Sequence, residues 1–229
     1  MSILSIAESR SLETLEFLFS EQKRLARAGW AYIAAYLIVC TGPYIYLDLY
    51  AYEKDGLYAL LGLLSWALGY VLFVGLMKKG GYLAGGKKTG IGTYFVLGVA
   101  IGIPVVLALV VFVLPGLYLL MRWLPAYSRA LVTSDGFGNA MRWSWQNTEP
   151  FQKSLSLAMI APLSGYGVSM GMWLGYDFFY DHFDWTAYVV AAVVWNGAMA
   201  LGIAWLTTFG IAAFGMLTAQ KSDLDAVFR

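Results

Sequence analysis

The sequence is poor in charged residues, and this shortage sets the class of protein. Only 13% of its 229 residues are charged, 60% are hydrophobic, and the mean hydropathy is +0.65, whereas about a quarter of a soluble domain is charged. One water-soluble core cannot bury that much apolar surface, which excludes an ordinary soluble domain. The net charge of +1 provides no overall field for attracting nucleic acid, so no such partner is expected.

Cysteine and histidine are nearly absent, with one residue of each in the chain. A single cysteine excludes an intrachain disulfide and a thiolate metal cluster, and Cys40 lies in an apolar run that predicts a buried position. The glycine pairs around Lys87 and Lys88 lack a preceding strand and the Gly-Lys-Ser/Thr order of a phosphate loop. No cofactor is therefore expected, and no catalytic signature identifies a reaction.

Long apolar runs are what the sequence does contain. A helix that crosses a hydrocarbon layer of about 30 Å needs roughly 20 mostly apolar residues. The runs predict an all-α fold, a polytopic membrane bundle of about six transmembrane helices within residues 29–217, preceded by residues 1–28 and followed by a tail at 218–229. The predicted spans are 29–47, 57–77, 91–114, 117–133, 155–176 and 186–217.

The charged residues alternate in sign from one connecting segment to the next. Lys and Arg beside the ends of spans remain in the cytoplasm, and nearly all of them fall before span one, between spans two and three, between four and five, and after span six. The acidic residues of 48–55 and 177–184 fall in the other segments, which predicts that both termini are cytoplasmic. Because residues 1–27 hold no apolar signal region, the first span is expected to act as the insertion signal.

Two segments outside the spans have the pattern of amphipathic helices. Leu12, Leu15, Leu18, Phe19, Gln22 and Leu25 follow helical spacing in the first segment, which predicts a helix along the inner membrane surface. In residues 135–149, Ser134 and Asp135 are placed to cap a second inner-surface helix that stops before Pro150. Its predicted common face holds Phe137, Ala140, Met141, Ser144 and Trp145.

Residues 114–155 resemble the core of a superfamily of bacterial membrane proteins. The matching residues are Leu114-Pro115-Gly116-Leu117-Tyr118, Arg122-Trp123, Asp135-Gly136, Ala140-Met141-Arg142-Trp143-Ser144-Trp145 and Thr148. This stretch is similar to the YciC-like proteins, the DUF975 proteins and the membrane domain beside some glycerophosphodiester phosphodiesterases. The resemblance implies about six spans, a Pro-Gly turn between two of them, and a place in the bacterial inner membrane. Trp143 and Trp145 depart from the pattern, and no phosphodiesterase domain is present.

Two arginines inside the fourth predicted span are candidates for binding a lipid headgroup or another anion. Arg122 and Arg129 are seven residues apart, which places both on one helical face. A guanidinium near the bilayer centre costs about 2.5 to 3.5 kcal/mol on insertion scales, so it faces the bundle interior or extends to a surface. Two interpretations are open for Arg122: pairing with the acidic loops near Asp48 or Asp177, or binding an anion inside the bundle.

Glycines recur every fourth residue on two of the predicted spans. Such spacing makes a flat strip that another helix can approach closely. Packing within the bundle and contact with a second protein or a second copy are both open. The strips consist of Gly98 and Gly102 on span three, and Gly167, Gly171 and Gly175 on span five.

The segment 177–184 places the only histidine beside three carboxylates. Asp177, Asp181, His182 and Asp184 are ligand types that a divalent metal accepts. Four interleaved aromatic residues equally suit a loop that anchors at the membrane surface. The segment is thus a weak candidate for a metal site.

The sequence favours a non-enzymatic membrane protein that binds lipid or packs against membrane partners, either as an oligomer or in a larger complex. Its basis is the scarcity of ionisable groups in the predicted spans, where only Arg122 and Arg129 fall and no carboxylate does. Ion-coupled transporters use intramembrane carboxylates. A small-solute or lipid transporter is the alternative, favoured by Pro104 and Pro162 inside spans. An outer-face membrane enzyme using segment 177–184 is the third.

Overall fold

The computed structural model describes residues 3–51, 53–83, 90–133, 136–179 and 184–227, and their regular structure is helical throughout. No strand occurs in these ranges, so the predicted all-α fold is confirmed. The helices are α1 (Ile3–Ala28), α2 (Trp30–Tyr50), α3 (Asp55–Lys79), α4 (Ile91–Val111), α5 (Val113–Val132), α6 (Phe137–Thr148), α7 (Gln152–Phe179) and α8 (Trp185–Val227), with a 3-10 turn at Glu149–Phe151.

Five helical segments are long and apolar enough to cross a membrane: Trp30–Tyr50, Asp55–Lys79, Ile91–Val111, Phe137–Tyr176 and Trp185–Ala219. The chain is therefore a multi-pass membrane protein. Five of the six predicted spans coincide with these segments. The window 117–133 lies in α5, which is 20 residues long but less apolar than these five segments. Arg122 and Arg129 lower its apolar character.

Helices α7 and α8 pack lengthwise against each other and form the centre of the bundle. Two glycines allow this close approach. A Cβ on Gly165 would lie 2.7 Å from the carbonyl oxygen of Ala198 and 2.8 Å from Gly202 Cα, so the backbones meet where a side chain would not fit. Helices α2 and α3 pack beside this pair.

Helices α4 and α5 form a hairpin with a break of one residue. Phe112 has extended backbone angles, φ −152° and ψ 127°. The turn that the family resemblance placed at Pro115-Gly116 is therefore wrong, because both residues lie inside α5. Pro115 occupies the first helical turn, where the missing N–H has no helical acceptor. Gly116 is buried, and a Cβ there would overlap the side chain of Leu109.

Both predicted amphipathic segments are helical, and each packs on the bundle. In α1, Leu18, Gln22 and Leu25 are buried, whereas Leu12 is 64% exposed. In α6, Ala140, Ser144 and Thr148 form the buried face. Phe137 and Trp145, predicted to share that face, are exposed. The capping residues Ser134 and Asp135 lie outside the described ranges, and α6 continues through the 3-10 turn into α7.

The two ends of the bundle differ in charge. At the acidic end, which holds Asp48 and Asp55, Tyr50 contacts Trp185 with ring centroids 5.9 Å apart. At the basic end, α3 finishes with Lys78 and Lys79. On α8, Trp205 follows Trp185 by twenty residues, about 30 Å along a helix. That separation is similar to the thickness of a hydrocarbon core.

Candidate functional site

A groove opens at the basic end between α1, α2 and α8. Its volume is about 470 Å³, which lies within the size range of small-molecule sites. Apolar side chains form most of its walls. The lining residues are Phe19, Gln22, Lys23, Ala26, Ile33, Leu201, Ala204, Trp205 and Thr208.

Gln22 is the polar group of the groove that lacks a complete set of partners. Its side chain is 4% exposed, and its Oε1 accepts a hydrogen bond of 2.8 Å from Trp205 Nε1. Gln22 Nε2 is buried and has no hydrogen-bond partner. A buried donor left unpaired costs about 1 to 3 kcal/mol, so an acceptor that enters the groove regains this energy. The sequence analysis placed Gln22 on the apolar stripe of α1. A polar amide at such a position indicates that the side chain forms hydrogen bonds inside the protein or with a ligand.

Thr208 and Lys23 complete the polar side of the groove. Thr208 Oγ1 donates to the carbonyl oxygen of Trp205 at 2.7 Å, so its hydrogen is already engaged. Lys23 is exposed at the rim. The groove therefore offers an ammonium group at its mouth and a free amide N–H inside, a donor set that suits a negatively charged oxygen ligand.

An ion pair next to the groove holds α1 against the end of α3. Arg24 donates from Nε to Glu21 Oε2 at 2.7 Å and from Nη2 to Glu21 Oε1 at 2.6 Å, and it also reaches the carbonyl oxygen of Gly80 at 3.0 Å. Tyr82 donates its hydroxyl to Glu21 Oε1 at 2.7 Å. The hydrogen bond from Arg24 is the main cause that lowers the pKa of Glu21. This clasp fixes the helix that carries Gln22 and Lys23.

The carboxylate of Asp48 lies in a polar cluster at the acidic end. Tyr58 Oη donates to Oδ1 at 2.7 Å, Trp195 Nε1 donates to Oδ2 at 2.8 Å, and Asn196 Nδ2 donates to Oδ2 at 2.6 Å. The Tyr188 hydroxyl donates to the backbone carbonyl at 2.6 Å. The expectation that no carboxylate lies within a span is therefore wrong, because Asp48 belongs to the last turn of α2. Neutral donors satisfy both of its oxygens.

A second cavity, of about 490 Å³, lies between α2, α3, α7 and α8, next to the Asp48 cluster. Tyr36, Ser65, Tyr166 and Asn196 line it together with apolar residues, among which is Cys40. The thiol side chain is 5% exposed, which confirms the predicted burial.

Arg122 is buried between α5 and α6, at 1% exposure. Its guanidinium donates from Nη2 to the Trp145 carbonyl oxygen and lies 4.3 Å from the Trp145 ring centroid. The interpretation that it pairs with Asp48 is wrong, since its contact is with α6 and the Asp48 oxygens are already filled. Pairing with Asp177 is not tested, because the side chain of Asp177 lies outside the described residues. Arg122 Nε and Nη1 have no hydrogen-bond partner. The anion-binding interpretation therefore stays open.

Arg129 shares the face of Arg122, as the spacing predicts. Its guanidinium lies 5.2 Å from the ring centroid of Trp143. Trp145 and Trp143, which depart from the family pattern, thus each contact one arginine of α5 through the ring. Ser144 fastens the helices further by donating to the Arg122 carbonyl oxygen at 2.6 Å.

The glycine strips mostly face open space. No atom of another element lies within 4 Å of a Cβ placed at Gly102, Gly167, Gly171 or Gly175. A Cβ at Gly98 would lie 3.2 Å from Trp66 Nε1. Within the described part of the chain, packing inside the bundle is therefore confirmed at Gly98 alone. Contact of the α7 strip with a second protein stays a prediction.

The proposed metal ligands do not form a described site. Asp181, His182 and the side chain of Asp177 lie outside the described residues. Asp184 acts as a helix cap, because its Oδ1 accepts from the Ala187 backbone N–H at 2.7 Å. Among the residues described, no group of three or more metal-ligating side chains occurs.

Comparisons with known proteins identify no relative of this chain. No protein-family model matches the chain, and neither a curated protein nor a solved structure matches it. The resemblance of residues 114–155 to the YciC-like superfamily therefore remains a prediction.

Proposed function

We propose that this protein is a non-enzymatic membrane protein that binds an anionic lipid in the groove at its basic end. The observation that carries the proposal is the buried and unpartnered Gln22 Nε2, which lies in an otherwise apolar groove at the level of Trp205. A phosphate oxygen of the headgroup accepts from this N–H. Lys23 at the rim then neutralises the charge of the phosphate.

The arrangement of apolar residues favours a lipid over a free anion. Ile33 and Leu201 lie on the hydrocarbon side of the groove, and Leu201 is 46% exposed to the surroundings of the bundle. An acyl chain that follows this wall leaves its headgroup beside Gln22 and Lys23. A free phosphate would use the polar groups but would leave the apolar wall without a partner.

The basic end is the cytoplasmic end in this proposal. Lys78, Lys79 and the arginines of α1 lie there, and basic residues beside spans are retained in the cytoplasm. Both termini are then cytoplasmic, and the bound lipid belongs to the inner leaflet of a bacterial inner membrane. Anionic lipids at this surface are attracted by Lys and Arg at about 1 kcal/mol per residue.

Mass spectrometry of the intact protein in mild detergent tests the proposal. The wild-type chain should retain phospholipid, and Gln22→Leu should reduce its affinity by about ten- to a hundredfold, because a hydrogen bond to a charged group contributes about 1.5 to 3 kcal/mol. Lys23→Gln should have a smaller effect. Exchange with vesicles of phosphatidylglycerol or phosphatidylcholine would establish whether the charge is recognised.

Matched controls separate loss of the site from loss of the fold. Gln146→Leu alters an exposed glutamine on α6, and Lys78→Gln removes an exposed charge outside the groove. Both variants should retain lipid as the wild type does. Equal lipid retention by Gln22→Leu and Gln146→Leu would contradict the proposal.

A solute transporter is the second candidate, and the cavity beside Asp48 favours it. Tyr36, Ser65, Tyr166 and Asn196 place hydroxyl and amide groups between four helices, where transporters hold their substrates. Flux of labelled small polar solutes into proteoliposomes, compared between the wild type and Asn196→Leu, tests this alternative. Absence of flux for both would leave lipid binding as the better proposal.

A further inference from the structure

The cavity of about 490 Å³ beside the Asp48 cluster is rich in aromatic rings. Rings from three helices border the same space. Because the face of an aromatic ring carries negative partial charge, it attracts cations, and several rings around one space are the usual means of binding a quaternary ammonium ion. The five rings are Tyr36 and Tyr44 on α2, Tyr166 and Trp173 on α7, and Trp195 on α8.

The hydrogen-bond donors on the α8 side of this cavity are already used. Trp195 Nε1 donates to Asp48 Oδ2 at 2.8 Å. Asn196 Nδ2 donates to the same oxygen at 2.6 Å and to the Ala192 carbonyl oxygen at 2.9 Å. An indole has one N–H and a primary amide has two. Trp195 therefore contributes its ring to the cavity and Asn196 its acceptor oxygen, and neither group suits an anion.

Asp48 gives this side of the cavity a negative charge that no basic residue neutralises. The side-chain donors to its carboxylate, from Tyr58, Trp195 and Asn196, are uncharged. It forms no ion pair with any residue that the structure describes, and the cavity lining contains no Lys, Arg or His. The hydrogen bonds satisfy the carboxylate oxygens but leave the charge in place. A surrounding of low dielectric constant strengthens the attraction of that charge for a cation.

The cavity is accessible from the side of the bundle. Its lining residues Met170, Trp173 and Met199 are exposed, whereas Tyr36 and Cys40 are buried. Methionine side chains are flexible and adapt their shape to a ligand. A small molecule can therefore reach the inner rings past the exposed residues without separation of the helices.

We propose that this cavity binds a small organic cation, namely an ammonium ion that carries apolar substituents and no phosphate. The rings surround the apolar substituents and stabilise the charge. Asp48 adds its attraction from behind Trp195 and Asn196, whose positions it fixes. A zwitterionic lipid headgroup fits less well, because its phosphate meets no basic residue here and is repelled by Asp48.

This proposal names a ligand for the cavity of the second candidate function, and it requires binding alone, with or without transport. It does not depend on lipid binding at the basic end. The cavity shares no lining residue with the groove beside Gln22. Gln22→Leu should therefore leave the binding of an organic cation unchanged, so the two proposals are tested separately.

Equilibrium dialysis of labelled choline against the full chain in an uncharged maltoside detergent tests the proposal. Choline should bind saturably. Its uncharged isostere, 3,3-dimethyl-1-butanol, should displace it only at about tenfold higher concentration or more, because it lacks the charge that the rings and Asp48 attract. Equal competition by the isostere would mean that the cavity selects apolar shape alone. That result, or the absence of saturable choline binding, would overturn the proposal.

Variants locate the binding in this cavity. Trp173→Leu removes a ring without altering the Asp48 cluster, and it should weaken choline binding about fivefold or more. Trp173→Phe retains an aromatic face and should recover most of the affinity. Trp30→Leu alters a tryptophan of α2 that is 68% exposed and outside the cavity, so it is the matched control. Equal affinity of Trp173→Leu and Trp30→Leu would contradict the assignment.

Two further comparisons test the role of charge. Asp48→Asn should weaken the binding of choline about tenfold and leave that of the isostere unchanged, whereas Asp55→Asn, at an exposed position of the same end, should change neither. Phosphocholine has the same ammonium group as choline together with a phosphate, and it should bind more weakly. Tighter binding of phosphocholine would assign the cavity to a lipid headgroup and overturn the choice of a phosphate-free cation.

Discussion

The two ends of this bundle treat buried polar groups in opposite ways. At the acidic end, the Asp48 carboxylate accepts from Tyr58, Trp195 and Asn196, so a charged acceptor is filled by three donors. At the basic end, Gln22 Nε2 and two nitrogens of Arg122 are buried donors without acceptors. Hydrogen bonds that satisfy every polar atom hold helices together, whereas buried donors without an acceptor are able to bind a ligand. The comparison therefore favours a structural role for the Asp48 cluster, and it supports the proposed binding of a ligand at the basic end.

The largest expected effect on stability comes from removing the Asp48 carboxylate from its hydrogen-bonded cluster. Asp48→Ala removes the shared acceptor of the half-buried donors of Tyr58, Trp195 and Asn196, and a buried donor left unpaired costs about 1 to 3 kcal/mol. We expect the free energy of unfolding in detergent to fall by about 2 kcal/mol or more, because Tyr58 and Trp195 lose their acceptor and Asn196 retains only the Ala192 carbonyl oxygen. Asp55→Ala, at an exposed acidic position at the start of α3, should change it by less than about 0.5 kcal/mol. Equal stability of the two variants would mean that the Asp48 cluster does not hold α2, α3 and α8 together.

The glycines of α7 provide a second comparison, between a glycine packed against α8 and a glycine that faces open space. Gly165→Ala places a methyl group against the backbone of α8 and should destabilise the bundle by about 1 to 3 kcal/mol, because a packed helix pair must separate. Gly171→Ala meets open space and should leave the isolated chain at least as stable. Thermal unfolding of both variants in detergent provides the measurement. If Gly171→Ala proved the more damaging change, the strip would be covered by a second copy or a partner.

The sequence predicts this fold well where the features of a single helix determine its structure. Runs of apolar residues identify α2, α3, α4, α7 and α8, and the basic clusters separate the two ends. It fails where the outcome depends on distant residues. The partners of Asp48 on α8 follow it by 147 and 148 positions, so its terminal position in α2 suggests a loop residue instead.

The basic end was predictable in part. Helical spacing places Gln22 on the buried face of α1, yet nothing local indicates that Trp205 fills only one side of its amide. The partner of Arg122 was equally hard to predict from local sequence. Its acceptor is a backbone carbonyl of α6, and backbone acceptors leave no trace in side-chain patterns. The spacing of Arg122 and Arg129 correctly predicts their common face, but not which helix receives it.

The clasp at the basic end should make stability depend on acidity. Since the folded-state pKa of Glu21 is lowered from its ordinary value of 4.5, its ionised form stabilises the fold at neutral pH, and that contribution disappears as the pH falls from about 4.5 through the lowered value. The loss should be about 1 kcal/mol, because Arg24 is half exposed. Melting curves at pH 7 and pH 3 should differ more for the wild type than for Glu21→Gln. Parallel shifts would show that Glu21 is not the titrating group.

The smallest expected change, and the one that most sharpens the comparison, is at Arg122. Arg122→Met removes the stacking on Trp145, a loss of about 0.5 to 2 kcal/mol, but it also removes two buried donors that lack acceptors, a gain of similar size. In lipid-free detergent the free energy of unfolding should therefore change by less than about 1 kcal/mol. Phosphatidylglycerol should then stabilise the wild type more than Arg122→Met, if an anion reaches these donors.

Arg129→Met is the matched control for that measurement, since it loses a stacked guanidinium from the same face of α5. A loss of about 3 kcal/mol or more for Arg122→Met without lipid would mean that the protein itself satisfies the guanidinium, because breaking a buried charge pair has that magnitude. The donors at the basic end would then be of two kinds. Gln22 alone would have capacity for a ligand, and Arg122 would join Asp48 among the groups that fix the helices.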